Sequence, residues 1–383
     1  MRWKKIYLWV AGAQEESIKV KVLLITGSYP PMACGVGDYS YNLGKALAAL
    51  PEISVSVLTS IGGVTDRDSA DSIQVFPIME RWGIAEAIRV IKIIWQTSPN
   101  IVHIQYPTQG YESGRLPLLI PIIAYLMRKK VVQTWHEIYG GRLNPLTLIK
   151  AIVPGALVVV RPQYIEQVNP KLRRILRKKR IVFIRNGSAI PKATLSEQEA
   201  IKLKKKYIKH QRRLVVFFGF IYPHKGAELL FDIADPELDQ VIIAGQFGGE
   251  GEYYQNLKNR AFTDPWAGRT TITGRLSSEE VAALLTVADA VVLPFRAGGG
   301  EWNTSIHCAV LQGTFVLTTA KCASGFDKKN NVYYSEIDNI QEMKAALNKY
   351  AGTRRAYDSE IDKSEWSQIA AEHYSLYEAL LAN

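Results

Sequence analysis

The chain has 383 residues, 47% hydrophobic and 22% charged, which excludes a disordered or low-complexity polypeptide and leaves room for two or three folded domains. A net charge of +11 admits anionic partners (phosphorylated small molecules, an anionic membrane surface, nucleic acid) as well as a merely solvated basic face. Three cysteines, Cys34, Cys308 and Cys322, form no CxxC pair, which argues against a disulfide framework or structural zinc and fits a reducing compartment.

The N-terminus, MRWKKIYLWVAGA, has the basic start and short apolar run of a weak signal peptide, yet reads as part of an extension, residues 1–19, ahead of the first strand. From Val20 onward short β-rich runs alternate with helical patterns. KVLLIT, VSVLT, IVHI, KVVQT, LVVV and RIVFI are near-continuously apolar, as strands buried on both faces of a parallel sheet are. Helical periodicity lies between them at residues 39–50, 84–96, 117–126 and 146–152. The run LPLLIPIIAYLM falls short of the roughly 18–20 residues that span a bilayer and reads as a core helix, with a membrane-touching face as the minor alternative. The rhythm breaks at NGSAIP and a lysine-rich segment, then restarts with LVVFFGF, QVIIAG, TTITG, AVVLPF and TFVLTT. The fold class is therefore α/β, two doubly wound Rossmann-like domains facing an interdomain cleft. Their expected bounds are residues 1–190 and 191–360, with a final helix in 361–383 packing back on the first domain.

Ligands of such sheets bind beyond the carboxyl ends of the strands, and the informative loops sit there. GSYPPMACGVGDYS offers the Gly35 and Gly37 amides to a diphosphate, with Asp38 beside them; Ser40 spoils a GxGxxG, and no GK[ST] makes it a Walker loop. The D-x-D at Asp66–Asp68 has no partner carboxylates and reads as a loop. VHIQYP places His103 and Tyr106 at one strand end, and QTWHEIYG places His136 and Glu137 at the next, where a His-Glu pair can meet a hydroxyl or move a proton. Gly140 denies the latter an HExxH zinc motif. FFGFIYPHKG brings Lys225, with His224, to the first strand end of the second domain, where an ammonium neutralises a phosphate. In ITGRLSSEE the Arg275–Leu276 turn precedes a helix capped by Ser277 or Ser278. In PFRAGGGEWNTSIHCAVLQG three glycines precede Glu301 and a helix start at Asn303, Thr304 and Ser305, whose free amides suit phosphate as readily as an ordinary cap.

Taken together and in this order, these motifs resemble retaining glycosyltransferases of the GT-B fold, glycosyltransferase family 4, from about Val20 to the C-terminus. The resemblance implies a nucleoside diphosphate sugar held mainly by the second domain. Gly35 and Gly37 would meet the diphosphate or the acceptor side, and His136 would sit by the donor sugar. Lys225 would stabilise the departing diphosphate, Arg275 and Leu276 would hold the base, and Thr304 and Ser305, beside Asn303, would give amides to phosphate. The acceptor is expected on the first domain, near Asp38, His103, Tyr106 and Glu137.

Two departures stand out. The family's Glu-x7-Glu positions are Gly300 and Cys308; Glu301, one place off, is taken as the replacement at the sugar, and a thiol does not accept ribose hydroxyls as a carboxylate does. The family's arginine after the glycine of FGF is Phe220, leaving Lys225, with Arg296, to balance the diphosphate. The expected activity is retaining transfer of a hexose, glucose from UDP-glucose, to a glycan or lipid-linked acceptor in polysaccharide biosynthesis. The nucleotide sugar is the co-substrate, with no cofactor, metal or nucleic acid, in a cytoplasmic protein with peripheral contact at the inner face of the membrane. The alternatives are a UDP-sugar epimerase of the same fold and a basic nucleic-acid-binding protein; a nicotinamide enzyme is disfavoured by the missing GxGxxG.

Overall fold

In the computed structural model, residues 20–63, 73–141, 145–208, 213–300, 302–322, 324–356 and 365–382 are described. The N-terminal extension and the D-x-D at Asp66–Asp68 lie outside them.

The apolar runs form strands because a β-branched or aliphatic chain buried on both sides loses the most contact with water. The first sheet holds β1 (Val20–Ile25), β2 (Ile53–Ser60), β3 (Gln74–Met79), β4 (Ile101–Tyr106), β5 (Lys130–Trp135), β6 (Ala156–Val159) and β7 (Arg180–Phe183). All pair in parallel, in the order β3-β2-β1-β4-β5-β6-β7. One face is covered by α2 (Ala87–Thr97), α3 (Leu116–Leu126), α4 (Pro145–Ile152), α5 (Tyr164–Gln167) and α6 (Pro170–Leu176), with Val90, Ile94, Ile120 and Leu172 packed on Leu23, Ile104 and Leu157. The other is covered by α1 (Gly35–Ala48) and by the last helix of the chain.

Beyond α7 (Glu197–Tyr207), a second sheet repeats the plan. Its strands are β8 (Arg213–Phe218), β9 (Asp239–Ala244), β10 (Thr270–Gly274), β11 (Ala290–Leu293), β12 (Val316–Ala320), β13 (Gly325–Asp327) and β14 (Val332–Glu336). They lie in the order β10-β9-β8-β11-β12-β14-β13, parallel except for the β13–β14 pair. Its helices are α8 (Leu230–Ile233), α9 (Glu252–Phe262), α10 (Ser278–Val287), α11 (Thr304–Leu311) and α12 (Ile340–Tyr350). Two doubly wound sheets thus stand in one chain. The final helix, α13 (Glu365–Leu381), returns to the first domain, where Ile369, Ala370, Leu376 and Tyr377 join the core beneath α1. Its first residue ties three parts together. The Glu365 carboxylate accepts from the Ser188 amide at 2.9 Å, pairs with Arg185 at 3.6 Å and lies 3.5 Å from His307 of α11.

Candidate active site

The carboxyl ends of both sheets open on one cleft of about 340 Å³, lined from the first domain by Gly35 and Asp38 and from the second by Lys225, Arg275 and the start of α11. Three loops of the second domain nest there because glycine allows it. Gly219, at φ +133°, ends β8 with its backbone so close to Gly245 that a Cβ on the latter would overlap the Gly219 carbonyl. Gly298 takes φ +79°, and a Cβ on Gly299 would fall 2.6 Å from Thr318 Oγ1. The triple glycine is therefore the route by which the chain folds under β12 and delivers Asn303 to the cleft.

The Asn303 side chain accepts from the Gly300 amide at 3.0 Å and makes no cap bond to α11, so the helix begins without a side-chain cap where Thr304 and Ser305 line the cleft. Helix α1 begins similarly: Cys34 provides no side-chain cap, and Gly35 lines the cleft. Lys225 closes the site on a short 3-10 turn, its Nζ 4.6 Å from the Phe295 ring centre. Burial, and secondarily Arg161, lower its pKa to about 8. Asp38 is pushed up to about 6 by burial, an effect that Arg275 opposes. Arg275 donates across the cleft to the Pro31 carbonyl at 3.2 Å, and Leu276 and Phe220 line the same wall. The helix after them carries a full capping box, Ser277 with Glu280. Cys308 lies at the back of the cleft with its thiol pushed up to about 11 by burial.

Several expected residues are elsewhere. Gly37 is inside α1, not in a loop, and a Cβ there would sit 3.1 Å from the Ser28 backbone; it lets α1 pack against the β1 end and does not line the cleft. The expected helix start at Tyr39 moves accordingly to Gly35. His103 and Tyr106 are core residues, because β4 runs on through Tyr106 and helices cover both. His103 bonds Tyr377 and Thr134, each at 2.7 Å, and the Tyr106 hydroxyl donates to the Pro117 carbonyl. Neither is available to an acceptor. Arg296 is occupied by Glu228 at 2.5 Å and Asp338 at 3.2 Å and does not line the cleft. His224 stacks on Tyr222, rings 5.5 Å apart, outside the lining. His136 lies against Tyr39, also outside it; its Nε2 donates to Gln105 Oε1 at 2.9 Å, which makes Nδ1 the acceptor nitrogen of the ring. Glu137 is exposed at the end of β5. Glu301 lies outside the described residues.

One charged residue at the meeting of the domains escaped sequence reading. Arg161, just past β6, stacks on Trp302 of the second domain at 5.3 Å, and its Nε is buried with no hydrogen-bond partner among the described residues. It is near enough to Lys225 to depress that pKa. A lone arginine ending an apolar run carries no motif; only the facing of two domains reveals it. Arg161 is itself outside the cleft lining, against Trp302 which is in it, and Gln246, beyond β9, lines the cleft. Among the described residues no three His, Cys, Asp or Glu side chains converge as a metal site would need.

Residues 212–351 match the family model for glycosyl transferases group 1. No curated protein matches the sequence. Solved structures with the same architecture include sucrose-phosphate synthase from Thermosynechococcus elongatus, 16% identical over 95% of this chain and 100% of that one, with a TM-score of 0.69. Another is HepE of Anabaena in complex with UDP and glucose, 16% identical over 95% and 97%, TM-score 0.64. A third is a glycosyltransferase from Rickettsia africae, 14% identical over 95% and 99%, TM-score 0.70. Residues 212–351, within the second domain, are thus similar to glycosyl transferases group 1, and the whole chain shares the two-domain GT-B fold of these structures.

Proposed function

We propose that the chain transfers a hexose, glucose from UDP-glucose, to a glycan or lipid-linked acceptor in polysaccharide biosynthesis, with retention at the anomeric carbon. The observation that carries this reading is the meeting of Lys225 with the uncapped start of α11 in one cleft between the domains. A leaving diphosphate develops charge on its oxygens, and an ammonium with oriented amides stabilises that charge without reorganising. Arg161, on the first domain behind Trp302 of the lining, supplies a second cation, in place of the engaged Arg296. Arg275 and Leu276 form the turn on which the base rests, and Asp38 with Glu137 belongs to the acceptor side. The UDP and glucose held by HepE support the choice of donor. No metal takes part in this scheme, because cations of the protein stand at the diphosphate. The protein acts in the cytoplasm.

The test is UDP release from UDP-hexoses, with and without EDTA. UDP-glucose should be turned over at a rate EDTA leaves unchanged, and Lys225→Ala should lower that rate on the order of a hundredfold with the circular dichroism spectrum intact. No release with any common donor would remove the reading, and complete loss in EDTA would remove its metal-free part. A same-fold neighbour, a putative UDP-N-acetylglucosamine 2-epimerase from Listeria monocytogenes, is 12% identical with a TM-score of 0.57. Conversion of UDP-N-acetylglucosamine alone, followed by NMR, would turn the assignment to that chemistry.

A further inference from the structure

The helical layer on the outer face of the first sheet leaves a strip of apolar side chains in water. Ile84, Ile88, Ile91 and Trp95 recur four, three and four residues apart, which puts them on one stripe running from the 3-10 turn Ile84–Glu86 along α2. They are 59%, 67%, 37% and 77% exposed, while Val90, Ile93 and Ile94 on the opposite side of the helix fill the core. The neighbouring α3 ends in Tyr125 and Leu126, the latter 74% exposed, and α4 ends in exposed Ile152. Seven of the twelve large hydrophobic side chains exposed among the described residues therefore belong to this one layer. Scattered apolar residues need no explanation; a concentration of this kind marks a contact surface.

The charge of the chain is gathered in the same part of it. Residues 115–180 contain fourteen Lys and Arg against two Glu, while the remainder of the sequence contains thirty-three against thirty-four Asp and Glu. Arg128 after α3, and Arg174, Arg177 and Lys178 in and after α6, are exposed, as is Lys92 beside the stripe. We propose that this layer docks on an anionic lipid bilayer, the α2 stripe entering the boundary between headgroups and acyl chains while the cations meet the headgroups. A second copy of the chain is the poorer occupant. A two-fold interface sets each patch against itself, which here opposes like charges across the contact. The stripe lies outside the cleft, so the inference stands or falls separately from the sugar-transfer reading.

Co-sedimentation of the full chain with phosphatidylcholine vesicles, and with vesicles of mixed phosphatidylcholine and phosphatidylglycerol, decides it. The protein should pellet with the mixed vesicles, not with phosphatidylcholine alone, and added salt should weaken the binding. The double variant Ile88→Gln/Trp95→Gln should lose about tenfold or more in partitioning, and so should Arg174→Gln/Arg177→Gln/Lys178→Gln. All five side chains are exposed, so the thermal transitions should match wild type. Absence of binding to both vesicles overturns the proposal, as does binding that neither variant changes. A dimer in sedimentation equilibrium that Ile88→Gln/Trp95→Gln dissolves overturns it in favour of a second copy.

Discussion

An ammonium is worth most to a leaving diphosphate when it is poorly hydrated, and the environment of Lys225 meets that condition at the cost of basicity. Burial and the nearby Arg161 together bring its pKa to about 8. Only the protonated form stabilises the diphosphate, so kcat/KM should fall as pH rises through about 8. Asp38, held up to about 6 by burial against the pull of Arg275, should give the opposite limb if it acts as a carboxylate toward the acceptor. His136 adds no limb in this range, because burial and then His373 lower it to about 3 and keep it neutral. The expected profile is therefore a bell between about 6 and 8. Asp38→Asn should flatten its acid side. Arg161→Gln should lower kcat/KM while moving the alkaline limb upward, since a repelling charge beside Lys225 is gone. An alkaline limb that stays in place in that variant would show that another group titrates there.

At the scale of elements, α13 does more than fill a face. Burial raises the Glu365 carboxyl, but the hydrogen bond and charge of His307, the Ser188 amide and Arg185 outweigh it, and the net shift is downward from 4.5. A carboxylate whose folded pKa is depressed contributes stability above its unfolded pKa and loses it as pH falls through the folded one. Glu365→Gln should thus cost on the order of 1 kcal/mol in denaturant unfolding at pH 7, with a gap to wild type that closes below pH 4.5. A gap constant with pH would mean that packing, not charge, is lost. The same helix shows what sequence can and cannot disclose. Its periodicity was plain, and so were the strands made of near-continuous apolar runs, such as β1, β5 and β8. Edge strands were not: β3 carries Pro77, and β13 is only three residues long. The partners of His103 were hidden for a different reason. Tyr377, which covers it, is 274 residues away, and no local pattern reports a contact of that range. That Gly35, Lys225, Arg275, Thr304 and Ser305 line one cleft was legible because strand-end loops of two repeating sheets must converge, whereas the position of Arg161 depends on how the two domains face.

For the whole molecule, that facing is bridged by polar links among the described residues. Across the cleft, Arg275 reaches the Pro31 carbonyl at 3.2 Å, Gln109 reaches the Tyr222 hydroxyl at 3.0 Å, and Asn186 reaches the Trp302 carbonyl at 2.9 Å. Lys225 of the second domain and Arg161 of the first, meanwhile, carry two positive charges near enough to act on each other. Two like charges favour separation, and modest interfaces between domains permit relative motion. A diphosphate placed between them reverses the sign of the interaction, because each cation gains an anionic partner and the two walls gain a shared one. UDP should therefore draw the domains together as well as bind. Small-angle scattering should show a smaller radius of gyration with saturating UDP than without, and the melting temperature should rise together with it. At a hundred times the dissociation constant the stabilisation is about 2.7 kcal/mol. Arg161→Gln should bind UDP more weakly and, once saturated, show less compaction, since the first-domain cation is missing. Uridine, which carries no phosphate, should leave the radius unchanged. Equal compaction by uridine and UDP would place the closing force on the base at the Arg275 turn and not on the diphosphate.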